Sequence, residues 1–437
     1  ATLALAWLTP PLAFVDVPEG GRIVSYRDGA LGAVSVVEDA GGVARLRIDN
    51  RQQEGSSATL YADARQALLP LLLHPAPHRA LFLGLGTGVT ATAAAQDTQL
   101  MVDAVELLPE VIAASSHFTR PLNDGLPNPR LNVITGDARR FVRATSRHYD
   151  LIVADNFHPA RSGSASLYTV EHFRAVRARL APGGVFCQWL PLHQLDLTTL
   201  RSIVRAFVEA EPQAWALLST FSLETPVLGL VTRADGGRFD RAQLQARLQG
   251  AALTRPLSDF GLHDELALWG GFVAGPASLA RFADGAPPNS DNHPIVAYRA
   301  PRITYAPDSL PRERLLALLG ELDVAPEEVV STTTDSTWPP RLTAYWQARD
   351  RFLLAGRDVR PSNDVQRMLA QVREPLLEVM RISPEFRPAY DPLLQMAVAL
   401  ARTDAPGARS LLTELARLQP ARAEGLRALQ TLEQARP

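Results

Sequence analysis

Apolar and polar residues change rhythm three times along this chain. From about residue 20 to 50 they alternate one by one, in Arg22-Ile-Val-Ser-Tyr26, Ala33-Val-Ser-Val-Val37 and Val43-Ala-Arg-Leu-Arg-Ile48. A period of two marks half-buried strands, and Asp28-Gly29 and Gly41-Gly42 between them read as hairpin turns, so a small antiparallel sheet is predicted. From Leu60 to about Val231, short unbroken apolar runs alternate with amphipathic stretches. Ala80–Leu83, Met101–Val105, Leu131–Ile134, Leu151–Ala154 and Val185–Trp189 read as buried strands. Pro109–His117 and Val170–Leu180 read as helices, the second stopped by Pro182-Gly183-Gly184. Short connections between such strands imply an α/β fold with a doubly wound, Rossmann-like parallel sheet, which Val227–Val231 would close. Residues 235 to 300 are mixed and proline-bearing. From Arg312 onward the strand pattern vanishes, and Ala344–Leu354, Val365–Ile382, Tyr390–Arg402 and Ala408–Leu418 are spaced as helix pairs of a tetratricopeptide-like solenoid. The predicted division is an apolar segment (1–19), a β-hairpin domain (20–58), a Rossmann-like domain (59–300) and an α-helical C-terminal domain (301–437).

Composition narrows the function. At 437 residues the chain is too long for one core. A net charge of −2 supplies no basic field for nucleic acid. All 44 basic residues are arginine, which excludes lysine chemistry and suggests a GC-rich bacterial genome. The single cysteine, Cys187, excludes an internal disulfide and a thiolate-rich metal site, and reads as a buried strand thiol. His74, His78, His117, His148, His172 and His193 lack metal-ligand spacing, so no metal is expected. Ala1 to Val15 is apolar but too short to span a bilayer and has no basic flank; it reads as the tail of a membrane segment.

The chemistry lies in Ala80-Leu-Phe-Leu-Gly-Leu-Gly-Thr-Gly88 and in Glu106, 22 positions after Gly84. A strand, a glycine turn, a helix and a second strand ending in an acid form a nucleoside-binding βαβ unit. Such enzymes bind at the carboxyl ends of their strands. Strand one gives Gly84, Gly86, Thr87 and Gly88. Strand two gives Glu106 for the ribose hydroxyls and Leu107 for the base. Strand three gives Asp137 for the adenine amino group, with Ala138 beside it, and strand four gives Asp155. Arg139 and Arg140 belong to the helix that follows. An acidic site of this kind suits a sulfonium nucleoside better than a pyrophosphate. Two segments have blander readings: Asp155 could cap the turn before Pro159, and Ser162–Ser166 is a flexible loop without a nucleophile elbow. Tyr345-Trp346 reads as solenoid core or as a binding platform.

These residues, with Ile48–Gln53, Leu60-Tyr-Ala-Asp63, Gly136-Asp-Ala138, Pro159 and Ala165–Thr169, resemble the spermidine synthase (polyamine aminopropyltransferase) family over about Ser25 to Val231. Pro182–Trp189 and Ser290–Pro294 resemble the soluble part of bacterial proteins that fuse such a domain to a membrane transporter-like region. The resemblance implies an S-adenosylmethionine-methyltransferase-like fold and transfer of an aminopropyl group from decarboxylated S-adenosylmethionine to a diamine such as putrescine, releasing methylthioadenosine. It implies Asp155 as the base, Tyr61 as orienting the amine, and Gln53, Glu106 and Asp137 as nucleoside contacts. It places Asp63, His158 and Gln188 on the amine side, makes 162–166 a lid, and suggests a homodimer through the N-terminal sheet. A cytoplasmic location follows, tethered at the inner membrane if a transporter lies upstream. The sequence departs from the family at Thr87 and His158, where acids that grip the two amines are usual, and at Phe221, near a usual tyrosine. Thr87 would tolerate the carboxylate of intact S-adenosylmethionine, so a methyltransferase is the alternative. A non-catalytic polyamine or nucleoside sensor is a third reading.

Overall fold

The computed structural model describes residues 15–50, 52–250, 253–331 and 335–434. The apolar segment up to Phe14, and Arg51 within the Ile48–Gln53 motif, lie outside the described residues.

The N-terminal sheet has the order β1 (Arg22–Gly29), β2 (Gly32–Glu38), β3 (Ala44–Ile48), β4 (Gln52–Ser56), antiparallel throughout. Its first turn is Ala30-Leu31, because Asp28 and Gly29 still pair with Ala33 and Gly32; the expected turn at Asp28-Gly29 is therefore two residues early. The fourth strand is polar, Gln-Gln-Glu-Gly-Ser, so no apolar alternation announces it. Asp49 and Asn50, both with positive φ, turn the chain into it.

Next come α1 (Leu60–Leu73), β5 (Arg79–Leu83), α2 (Val89–Ala94), β6 (Met101–Glu106), α3 (Pro109–Asn123), β7 (Leu131–Thr135), α4 (Ala138–Ala144) and β8 (Tyr149–Ala154). They are followed by α5 (Val170–Arg177), β9 (Leu180–Pro191), α6 (Leu197–Ala210), β10 (Ala214–Leu218) and β11 (Val227–Arg233). The helices Arg241–Gly250 and Leu266–Trp269 (α7, α8) lead to the short strand β12 (Phe272–Ala274). Among the described residues these strands form one mixed sheet, ordered β12-β10-β11-β9-β8-β5-β6-β7. Strands β9, β8, β5, β6 and β7 are mutually parallel, as their apolar runs require. The order reverses between β5 and β8, the switch point where such sheets bind ligands.

Two expectations change. Strand β11 lies inside the sheet and runs antiparallel, because the short return from β10 permits only a hairpin. Helix α5 ends at Arg177, and Pro182-Gly183-Gly184 sits within β9, where the register against β8 slips between Tyr149 and Leu151. The glycines mark a bulge, a strand signal that resembles a helix stop.

Helices Pro276–Phe282, Ile295–Tyr305, Pro311–Leu319 and Pro326–Val329 (α9–α12) precede the C-terminal set: α13 (Trp338–Gly356), α14 (Val365–Ile382), α15 (Arg387–Leu400), α16 (Ala405–Leu418) and α17 (Ala423–Gln434). Within that set each helix packs on the next. One hydrophobic core joins α1, one sheet face and these helices; another fills the opposite face under α5 and α6. The indole Nε1 of Trp346 donates to the Trp269 carbonyl at 3.0 Å, and Arg349 donates to the Gly270 carbonyl at 3.0 Å. Tyr345 and Trp346 are both buried, and each such aromatic side chain contributes about 2–3 kcal/mol to the core. No helix among the described residues is long and apolar enough to cross a membrane.

Candidate active site

Two cavities meet at Asp155, just beyond β8. The first, about 200 Å³, is lined by Gly84, Gly86, Glu106, Leu107, Asp137, Ala138 and the loop 161–167. The second, about 320 Å³, is lined by Gln53, Asp63, Gln66, Thr87, His158, His193 and Gln194 among others. Asp155, Asn156 and Glu54 line both.

The first cavity is framed by main chain. Both oxygens of the buried Glu106 carboxylate accept backbone N–H groups, from Leu85 at 3.0 Å and Leu108 at 2.9 Å. They fix the acid at the end of β6 and leave lone pairs for hydroxyl donors. Asp137 caps α4 by accepting from the Arg140 N–H at 2.9 Å. Gly84 and Gly86 have φ of +90° and +52°; a Cβ on Gly84 would lie 3.2 Å from Asp155 Cβ, and one on Gly86 3.4 Å from Asp155 Oδ2. Only glycine lets this loop pass so close to the carboxylate. Gly88 begins α2 and faces Ser115 and Thr119, outside either cavity lining. Arg139 lies in α4 as expected and also reaches the cavity, where Asp291 pairs with it at 2.5 Å. Loop 162–168 forms a wall, braced by Asn289, whose amide donates to the Ala165 and Tyr168 carbonyls.

Electrostatics concentrate at the junction. Burial raises Asp155 to about 6, the Asn156 N–H opposes this, and the Glu106 charge adds to it. Burial also raises Glu54 to about 7, although Arg161 stands 3.9 Å away and lowers it. Burial raises Asp63 to about 7 against a hydrogen bond from Thr59. Burial lowers His158, and lowers His193 to about 4, so both imidazoles are neutral near pH 7.

Several side chains that line the second cavity carry a buried atom without a hydrogen-bond partner. Glu54 Oε1, Gln66 Oε1, His158 Nδ1, His193 Nδ1 and Gln194 Oε1 are buried with no hydrogen-bond partner among the described residues. Buried polar atoms are normally satisfied, so five unsatisfied ones in residues around one cavity leave hydrogen-bonding capacity there. Three of the five are acceptor oxygens, which suits a ligand rich in N–H donors.

Besides Gly88, two of the residues expected at the site are not brought there. Tyr61 is half exposed and packs on Phe260 (ring centroids 5.8 Å apart) in a different cavity. Gln188 is fully buried behind Asp155, donating to its carbonyl at 3.2 Å; it holds the loop and does not face either cavity. Thr87 faces the second cavity, against Gly55. Sequence reasoning missed Glu54. The Gln-Gln-Glu run beside the expected Gln53 was its only signal.

Residues 66–223 match the model of the spermine/spermidine synthase domain. The chain is 28% identical over 171 residues to spermidine synthase of Dictyostelium discoideum, covering 39% of this chain and 60% of that one. It is 28% identical over 267 residues to polyamine aminopropyltransferase of Aeropyrum pernix, covering 57% and 82%. It is 29% identical over 182 residues to putrescine N-methyltransferase 2 of Nicotiana tabacum, covering 39% and 50%. Two of these three relatives are thus matched over less than two thirds of their length. Through the matched domain the chain is similar to the spermine/spermidine synthase family.

Proposed function

We propose that the chain transfers an aminopropyl group from decarboxylated S-adenosylmethionine to a primary amine, releasing methylthioadenosine. The observation that carries this reading is the meeting of two chemically different cavities at one carboxylate. The cavity of Glu106, Leu107, Asp137 and Ala138 suits adenosine, with the ribose hydroxyls donating to Glu106. The cavity of Asp63, Gln66 and Gln194 suits an ammonium group. Asp155 stands between them, where an amine nitrogen and the carbon next to a sulfonium would meet.

The amine arrives protonated and is not a nucleophile. Asp155 takes the proton; its raised affinity makes it a better base near neutrality than an ordinary carboxylate. The freed lone pair attacks the aminopropyl carbon bound to sulfur. As the C–N bond forms the C–S bond breaks, and its electron pair returns to sulfur, discharging the sulfonium. Holding both reactants at one place removes the entropy of their encounter. Glu54 supplies negative charge from β4 where the glycine loop has the neutral Thr87. An acid at this point attracts an aminopropyl ammonium and repels the carboxylate of intact S-adenosylmethionine.

A methyltransferase is the second reading. Thr87, which carries no charge to repel a donor carboxylate, favours it, and a tobacco methyltransferase is among the relatives. One assay decides: the full chain, each donor in turn, and 1,4-diaminobutane, with products read by mass spectrometry. Methylthioadenosine from the decarboxylated donor is expected. S-adenosylhomocysteine from the intact donor would replace this reading with the second. Ligand binding without either product would indicate a sensor.

A further inference from the structure

A third cavity, about 460 Å³, lies where the Rossmann-like region meets the C-terminal helices. It adjoins the amine-side cavity and shares Ala62 and Thr220 with it. Successive residues of α1 step from one to the other: Asp63 lines the amine side, Ala62 both, and Tyr61 the third cavity. Its walls are aromatic, with Tyr61 and Phe260 on one side and Tyr345 and Phe352 of α13 on the other. Its basic groups are already engaged. Arg65 donates to the carbonyls of Ser219, Phe260 and Ala267, and Arg387 pairs with Asp391 and Glu424. Asp259 and Asp264 also line it, and neither is ion-paired among the described residues.

Carboxyl groups therefore line both of these adjoining cavities. Next to Asp155, His158 and His193 are neutral and grip a second ammonium weakly. Carboxylates resume at Asp63 and again at Asp259 and Asp264, past aromatic faces that attract cations. We infer that the third cavity is a distal ammonium subsite, partly built by the C-terminal helices, and that the acceptor is an elongated polyamine and not a short diamine. The inference rests on the aminopropyl-transfer reading and gives the C-terminal region a part in substrate choice.

The test compares 1,4-diaminobutane with the linear tetraamine spermine as acceptors for the full chain. The kcat/KM for spermine is expected to exceed that for 1,4-diaminobutane by about tenfold or more. Two variants address the subsite: Tyr61→Ala at its exposed mouth, and the double variant Asp259→Asn with Asp264→Asn. The asparagine at 264 keeps the acceptor that binds the Ala267 N–H. Each variant is expected to lower the spermine-to-diaminobutane ratio about fivefold. A wild-type ratio near one, or a ratio that neither variant moves, overturns the inference. If no amine is turned over, the transfer reading falls by itself, and calorimetric binding then decides on the subsite. Tighter binding of spermine, weakened in both variants, supports it; equal binding of the two amines overturns it.

Discussion

The two cavities that meet at Asp155 are held together in different ways. On the adenosine side, Glu106 and Asp137 are fixed by backbone N–H groups at strand and helix ends, so their geometry exists before any ligand arrives. On the amine side, Gln66, His158, His193 and Gln194 each carry a buried atom without a partner. A main-chain frame is insensitive to side-chain change and fixes one ligand. A side-chain pocket can be retuned by single substitutions. On the proposed function, the contrast would let one domain keep its nucleoside and vary its amine.

The sharpest break of that contrast is at the junction. Asp155→Asn is expected to lower kcat by roughly 10²–10⁴-fold, measured as methylthioadenosine release, while calorimetry shows donor binding retained. The same variant is expected to be more stable at pH 8. The folded-state affinity of Asp155 for its proton is raised, from the usual 3.8 to about 6. The stability this group contributes is therefore complete below the unfolded value and lost as pH rises through about 6. Above that, the ionised carboxylate costs about 1–2 kcal/mol after allowance for its partial exposure, and asparagine removes the cost. Thermal melts at pH 8 and pH 5 check the sign, since the gain should shrink at pH 5. Equal turnover in the variant would remove Asp155 as base.

A smaller effect is expected on the framed side alone. Glu106→Gln keeps one acceptor but turns an amide NH₂ toward the N–H of Leu85 or Leu108. It should raise the donor KM by about ten- to hundredfold, as for a lost hydrogen bond to a charged group, and leave the amine KM within about twofold. Equal rises in both constants would show that the two cavities are not separately built.

The same contrast governs what could be read from the sequence. The adenosine side was legible because its parts are contiguous: Gly84, Gly86, Glu106 and Asp137 each end a strand that its own apolar run announces. The amine side draws on β4, α1, the loop after β8, the end of β9 and the turn after β10. No local spacing links Glu54 to Gln194, so only the folded chain brings them together. Tyr61 shows the limit at single-residue scale. It was expected beside the amine, yet each step along α1 turns a side chain by about 100°, and the two steps that separate it from Asp63 send it to the third cavity while Asp63 faces the second. Strand β4 went unread because it is polar and β12 because it has only three residues, while the alanines and leucines of β10 (Ala214–Leu218) carry no strand-specific signal.

The least expected change, and the most discriminating, comes from restoring charge at Thr87. This side chain faces the amine cavity and is almost fully buried against Gly55. Aspartate is close to threonine in size, so Thr87→Asp should fold. The new carboxylate would join Asp155, Glu54 and Asp63, and like charges raise one another's proton affinity. Two consequences oppose each other. At pH 8, where all four are ionised, the amine KM should fall about threefold, because one more anion faces the ammonium. Toward pH 6 the gain should reverse, because the base is protonated earlier: the acidic limb of kcat/KM should move up from about 6 by roughly half a pH unit. The frame around Glu106 shares no residue with this change, so affinity for adenosine itself should hold. A profile that moves down, or an adenosine affinity that falls with the amine constant unchanged, would mean that position 87 serves the nucleoside side and that the boundary between the two cavities lies elsewhere.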